Sequence, residues 1–105
     1  MKQMTAKEVE ATLNDLTVID VREPDETAAG KIPGAMTIPL GLLEFRMHEL
    51  DKAKEYTMVC RSGGRSGRAA QFLESQGFKV INMTGGMLEW KGKRSNFHRK
   101  KHLDN

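Results

Sequence analysis

The sequence predicts an α/β fold in three layers, helices on both faces of a mostly parallel five-stranded sheet. Three observations carry this reading. Short runs rich in β-formers alternate with stretches of helical period along most of the chain, the pattern of βαβ units. Val18-Ile19-Asp20-Val21 is nearly continuous apolar, which suits a strand covered on both faces. Tyr56-Thr57-Met58-Val59-Cys60 runs into Gly63-Gly64, after which Ala69, Ala70, Phe72 and Leu73 recur at helical spacing. That is a strand, a tight loop and a helix in succession.

The remaining elements follow in chain order. Met4 belongs to a short opening strand, and Thr5-Ala6-Lys7-Glu8 has the form of a capping box. The helix it starts places Val9, Leu13 and Leu16 towards one face. After the Val18–Val21 strand, Pro24 fits the first turn of a short helix running to Ala29, with Glu23, Asp25 and Glu26 near its positive end. Gly30, Pro33 and Gly34 make a turn into a strand at Ala35–Ile38. Leu42, Leu43, Phe45, Met47 and Leu50 predict one amphipathic helix ending before Asp51. Phe78–Met83 is the last strand, and Met87–Lys91 a short helix carrying Trp90 as a core plug.

Composition narrows the function. A chain of 105 residues supports one modest core. No apolar run approaches the ~18 residues that cross a bilayer, and no apolar stretch of the secretory kind follows Lys2. One cysteine excludes an internal disulfide and suits a reducing compartment, so a cytoplasmic protein is expected. The net charge of +3 is a property of the tail: residues 1–92 hold 12 basic and 13 acidic side chains, whereas residues 93–105 hold 5 basic and 1 acidic. We therefore read 1–92 as the domain and 93–105 as a solvated basic tail, expected to be dispensable for the chemistry. Its Lys93, Arg94, Arg99, Lys100 and Lys101 lack the aromatic interleaving of a nucleic-acid surface, Phe97 being alone. His98 and His102 stand four apart without further ligands beyond Asp104, so no metal site is expected.

Cys60 is the candidate catalytic residue. A cysteine at the carboxyl end of a strand faces the unpaired N–H groups of the next helix. Such a setting lowers a thiol pKa from its free value of about 8.5, and Arg61 and Arg65 add positive charge. A packing cysteine needs neither the glycine pair nor the arginines. The amides of Arg61, Ser62, Gly63, Gly64, Arg65 and Ser66, curled by the glycines, form an anion nest around it. Because a thiolate is already nucleophilic, no general base is required.

These residues resemble the active-site loop of the single-domain rhodaneses, sulfurtransferases of the thiosulfate type. Val18-Ile19-Asp20-Val21-Arg22-Glu23-Pro24 is similar to that family's Asp-Val-Arg strand end. Gly30-Lys31-Ile32-Pro33-Gly34-Ala35 resembles its Gly-His-Ile-Pro-Gly-Ala turn, and Gly85-Gly86-Met87-Leu88-Glu89-Trp90 its Gly-Gly-Met-x-x-Trp segment. The resemblance runs from about Thr5 to Gly92. It implies the rhodanese-like fold and transfer of sulfane sulfur from a thiosulfate-like donor, through a Cys60 persulfide, to cyanide, a thiol or a protein acceptor, without a cofactor. It also implies that the loop amides stabilise the persulfide and that Asp20 and Arg22 brace the loop. Arg61 and Arg65 are expected to attract the dianionic donor. Lys31 and Thr27 depart from the family pattern, at positions peripheral to the thiol.

Two other readings remain. A rhodanese-like module can act as a sulfur carrier or partner-binding domain. The same fold also serves cysteine-loop phosphatases and arsenate reductases, whose loops place five residues between cysteine and arginine. Here four separate Cys60 from Arg65, a smaller cradle that suits sulfur.

Overall fold

A computed structural model describes residues 1–95. Arg99, Lys100 and Lys101 of the expected basic tail, with Phe97 and the His98/His102 pair, lie outside the described residues.

Five strands form one sheet: β1 (Lys2–Thr5), β2 (Thr17–Asp20), β3 (Met36–Thr37), β4 (Glu55–Val59) and β5 (Lys79–Thr84). Their order is β1-β5-β4-β2-β3, and every neighbouring pair is parallel, so the sheet is parallel throughout rather than mostly so. Four α-helical segments connect them: α1 (Ala6–Ala11), α2 (Pro24–Ala29), α3 (Leu43–Arg46) and α4 (Gly64–Ser75). Among the described residues no helix is long and apolar enough to cross a membrane.

Alternation along the strands divides the apolar side chains between two cores. Ile19, Tyr56, Met58 and Val80 pack with Leu43 and with Ala69, Ala70 and Leu73 of α4 on one face. Val18, Val59 and Met83 pack with Ala6 and Val9 of α1, Ile32, Met87 and Trp90 on the other. The layers are therefore helix, sheet, helix. Parallel strands require such crossovers, and the crossovers bury both faces of the sheet.

Local signals placed most elements. Thr5 accepts from the Glu8 N–H at 3.1 Å while Glu8 accepts from the Thr5 N–H at 2.8 Å, closing the capping box of α1. Pro24 opens α2, where Glu23 and Glu26 form a second box. Four segments differ from expectation. The first helix ends at Ala11, and Leu13 and Leu16 lie in and just past a separate 3₁₀ turn at Leu13–Asp15. The region 42–50 is not one helix but a 3₁₀ turn at Leu40–Leu42, the single turn of α3 and another 3₁₀ turn at Met47–Glu49. Its buried stripe begins earlier, at Leu40, and continues through Leu43, Met47 and Leu50. Leu42 and Phe45 fall off that stripe, and Phe45 is 79% exposed. No side chain caps these short segments, so nothing local favours a longer α-helix. The strand expected at Ala35–Ile38 shortens to Met36–Thr37 at the sheet edge. The last helix is a 3₁₀ turn at Gly86–Glu89, with Trp90 just past its end, buried and donating Nε1–H to the Lys93 carbonyl at 3.0 Å.

The chain beyond Gly92 does not leave the domain at once. Lys31 and Ser95 exchange backbone hydrogen bonds of 3.0 and 2.8 Å, an antiparallel bridge. Arg94 Nη2 donates to the carbonyls of Met87 and Trp90 at 3.0 and 3.3 Å. Lys93–Ser95, read from sequence as the start of a solvated tail, is thus strapped to the fold.

One buried group has no counterpart. The Thr57 hydroxyl, in β4 between Val18 and Ile81, has no hydrogen-bond partner among the described residues. An unsatisfied buried hydroxyl costs about 1–3 kcal/mol. Thr57→Val is expected to stabilise the protein by about 1 kcal/mol, raising the thermal midpoint by about 4–8 °C. A lower midpoint would show that the hydroxyl bonds a buried water instead.

Candidate active site

The carboxyl ends of β2 and β4 lie side by side, Asp20 opposite Val59, at the edge where parallel sheets bind ligands. Cys60 follows β4 directly and has no solvent exposure. Its Sγ accepts the Gly63 N–H at 3.0 Å. Burial alone would push the thiol pKa up. The Ser66 hydroxyl and the amides of Ser66, Gly63 and Ser62 outweigh it, and the pKa falls below the ordinary thiol value. The cause is hydrogen bonding to the charged form.

Peptide orientation makes this cradle. Met87 N–H donates to the Cys60 carbonyl at 2.8 Å and Leu88 N–H to the Arg61 carbonyl at 3.0 Å. In a trans peptide the C=O and the following N–H point opposite ways, so anchoring these carbonyls turns the Arg61 and Ser62 N–H groups the other way. Gly63, at φ 102°, makes the turn into α4, and its carbonyl is held by the Gly67 N–H at 3.0 Å, with Ser66 Oγ 3.2 Å away. Gly64 is the first residue of the helix.

The Met87 and Leu88 contacts depend on Gly86. A Cβ there would collide with the Cys60 and Arg61 carbonyls, and φ is 60°. Sequence reading found the glycine pair Gly85-Gly86 only through its resemblance to a family motif; the need is the close approach of two backbones.

Asp20 and Arg22 are both buried. Arg22 Nε lies 3.0 and 3.1 Å from the Asp20 oxygens, and Nη2 donates to Asp20 Oδ2 at 2.8 Å. The same guanidinium reaches the Gly30 carbonyl at 2.8 Å and the Glu26 carbonyl at 3.4 Å. The pair thereby fixes both the end of α2 and the turn after it.

Arg65 is not the free cation that the sequence suggested. Glu26 of α2 receives its two terminal nitrogens at 2.7 and 2.9 Å, clamping α2 to the first turn of α4. Glu26 also accepts the Glu23 N–H at 3.0 Å, so one carboxylate caps α2 and binds α4. The Arg65 guanidinium pulls the Glu26 carboxyl from 4.5 down to about 2, and Glu26 in turn raises Arg65 above its usual range. Arg61 and Ser62 are exposed at the loop tip, and the Arg61 side chain has no partner among the described residues. Lys31, in the peripheral turn, donates to the Ala35 carbonyl at 2.9 Å.

Asn82 went unnoticed in the sequence. It is buried on β5, accepts the Ser66 hydroxyl at 2.6 Å and places Nδ2 3.5 Å from the Gly63 carbonyl. A polar residue set among the apolar Val80, Ile81 and Met83 in the middle of the strand was the available signal.

The Rhodanese-like domain family matches residues 5–93 of this chain. YtwF of Bacillus subtilis is 49% identical over 78 residues, 74% of this chain and 76% of that protein. A sulfurtransferase of Allochromatium vinosum is 40% identical over 81 residues, 76% of each. The crystal structure of a rhodanese-like domain protein from Staphylococcus aureus superposes with a TM-score of 0.85 at 33% identity, covering 91% of this chain and 98% of that one.

The Glu26 clamp has an acid signature. Its folded pKa lies below the unfolded one, so its stabilisation is complete above about 4.5 and disappears as pH falls through about 2. Glu26→Gln is expected to lower stability at pH 7 by about 1–2 kcal/mol after solvent screening. It should also flatten the loss of stability between those pH values. Denaturant titrations across that range check both effects, and equal acid sensitivity in the two proteins would contradict the clamp.

Proposed function

This chain belongs to the rhodanese-like family, and from that premise we propose that it transfers sulfane sulfur from thiosulfate, or a similar donor, through a Cys60 persulfide. The observation that carries the reading is the cradle itself: a thiol with a lowered pKa, held by the Gly63 amide at 3.0 Å and turned towards further N–H groups. Sulfurtransferase chemistry in a relative 40% identical supports it.

The Cys60 thiolate attacks the outer sulfur of thiosulfate. A new S–S bond forms at Cys60, the S–S bond of the donor breaks, and its electron pair leaves with sulfite. The terminal sulfur of the persulfide carries negative charge, which amide donors stabilise without reorganising. In the second half-reaction cyanide or a thiolate attacks that sulfur, a new bond forms to it, and the electron pair of the broken persulfide bond returns to Cys60 as thiolate. With cyanide the product is thiocyanate. No proton acceptor and no cofactor enter either half. A protein thiol can serve as acceptor through the same step, which makes the domain a sulfur carrier. We place the chemistry in the cytoplasm, where Cys60 stays reduced.

Arg61, Ser62, Gly63, Gly64 and Ser66 act here as donor-binding and persulfide-binding residues. Arg65, Asp20 and Arg22 hold the frame around them. Incubation with thiosulfate is expected to add the mass of one sulfur atom to the intact protein, and cyanide to remove it. Cys60→Ser should abolish both events and thiosulfate:cyanide turnover while leaving the thermal midpoint nearly unchanged. Turnover persisting in folded Cys60→Ser would sink the assignment, as would faster hydrolysis of an aryl phosphate than consumption of thiosulfate.

A further inference from the structure

A cleft of about 330 Å³ opens beside the thiol loop, lined by Arg22, Glu26, Arg61, Met87, Leu88 and Arg94. Its cations are unequal. Arg22 is held by Asp20 at 2.8 Å, and Arg65, next to the cleft, by Glu26 at 2.7 Å. Each of these guanidiniums is paired with a carboxylate. Arg61 and Arg94 have no acidic partner among the described residues.

Arg94 is nevertheless placed with care. One nitrogen, Nη2, donates to the carbonyls of Met87 and Trp90, and its other N–H groups have no partner among the described residues. Its stem lies against Gly30, where an added Cβ would meet Arg94 Cδ at 3.4 Å. The Lys31–Ser95 bridge and the Trp90–Lys93 hydrogen bond fix the backbone on either side. Met87, whose carbonyl receives Arg94, is also the residue whose N–H holds the Cys60 carbonyl. A single residue therefore separates this cation from the reactive cysteine.

We propose that Arg94 is a substrate-binding residue, joining Arg61 across the cleft mouth to recruit small dianions that carry the transferable sulfur. This rests on the sulfur-transfer reading above and names the residue that gives it charge selectivity. Two unpaired guanidiniums match the two charges of a thiosulfate-like donor and of the departing sulfite. Met87 and Leu88 give the same cleft an apolar lining, and a less hydrated wall strengthens the attraction. The strap at Lys93–Ser95 thus belongs to the site, and truncation after Gly92 removes a binding group.

The test is steady-state thiosulfate:cyanide kinetics on the full chain and on Arg94→Gln and Arg94→Lys, over a series of salt concentrations. Arg94→Gln is expected to raise KM for thiosulfate about three- to tenfold, with the smaller effect on kcat, and to reduce the salt dependence of kcat/KM. Arg94→Lys keeps the charge and should restore most of the affinity. Thermal melts of both variants separate binding from folding. Were Arg94→Gln lost to unfolding, Arg94→Lys with wild-type KM against Arg94→Glu with a larger increase would carry the same comparison. An unchanged KM and salt slope in folded Arg94→Gln overturns the inference while leaving sulfur transfer intact. Absence of any turnover or persulfide in the unaltered protein overturns the functional reading, and this inference with it.

Discussion

The site depends on two backbone hydrogen bonds, from the amides of Met87 and Leu88 to the carbonyls of Cys60 and Arg61. Without them those carbonyls would be free to turn towards the sulfur, and a carbonyl oxygen repels a thiolate. With them, planar trans peptides commit the following amides to the opposite side. The residue that permits the contact is Gly86, because any side chain there would occupy the space of the two carbonyls. A 3₁₀ turn near the end of the domain therefore sets the electrostatics of a loop 25 residues earlier in the chain, reckoned from Met87, the second residue of that turn, back to Ser62. Asn82 supplies the other anchor from β5, through Ser66 and the Gly63 carbonyl.

Charge around this loop is organised in pairs. The Asp20–Arg22 pair is buried, so its Coulomb attraction is offset by the cost of removing both groups from water. What it secures is geometry: two further carbonyls on α2 and its following turn are bound by the same guanidinium. α2 then presents Glu26 to Arg65, and the two α-helices flanking the thiol become one frame. With Arg65 paired to Glu26, the groups that donate to the sulfur are the loop's own dipoles.

The layered fold was legible because its signals are local or periodic. The capping box at Thr5, the proline opening α2, the apolar run of β2 and the glycine pair after Cys60 each act within a few residues. The region 42–50 reads as one helix because its buried residues Leu43, Met47 and Leu50 are interleaved with Leu42 and Phe45, apolar residues that face outward. Hydrophobicity cannot tell these two sets apart, and tertiary contact with α4 and the sheet does. Within the site, Cys60 and its loop were visible because they are contiguous. The partners were not: Glu26 meets Arg65 across 39 positions, and Asn82 meets Ser66 across 16. Arg94 reads as tail on its charged neighbours and on a family resemblance that ends at about Gly92, since neither the bridge to Lys31 nor the carbonyls that hold its side chain leave a trace in composition.

Loop length and charge together bear on which anion the cradle suits. With four residues between Cys60 and Arg65, the arginine already stands in the first turn of α4, where Glu26 takes both of its terminal nitrogens. The ring of groups around the sulfur is then made of amides and the Ser66 hydroxyl, carrying partial charges only. A persulfide presents one negative charge on one large, weakly hydrated atom, which such dipoles can satisfy. A phosphoryl group presents about two charges on several strongly hydrated oxygens, and removing it from water calls for a full cation at bonding distance. Recruiting Arg65 for that purpose would first require breaking a bidentate pair with a carboxylate whose pKa has been drawn down to about 2. The same pairing that stiffens the loop thus withholds Arg65 from any anion bound at the sulfur.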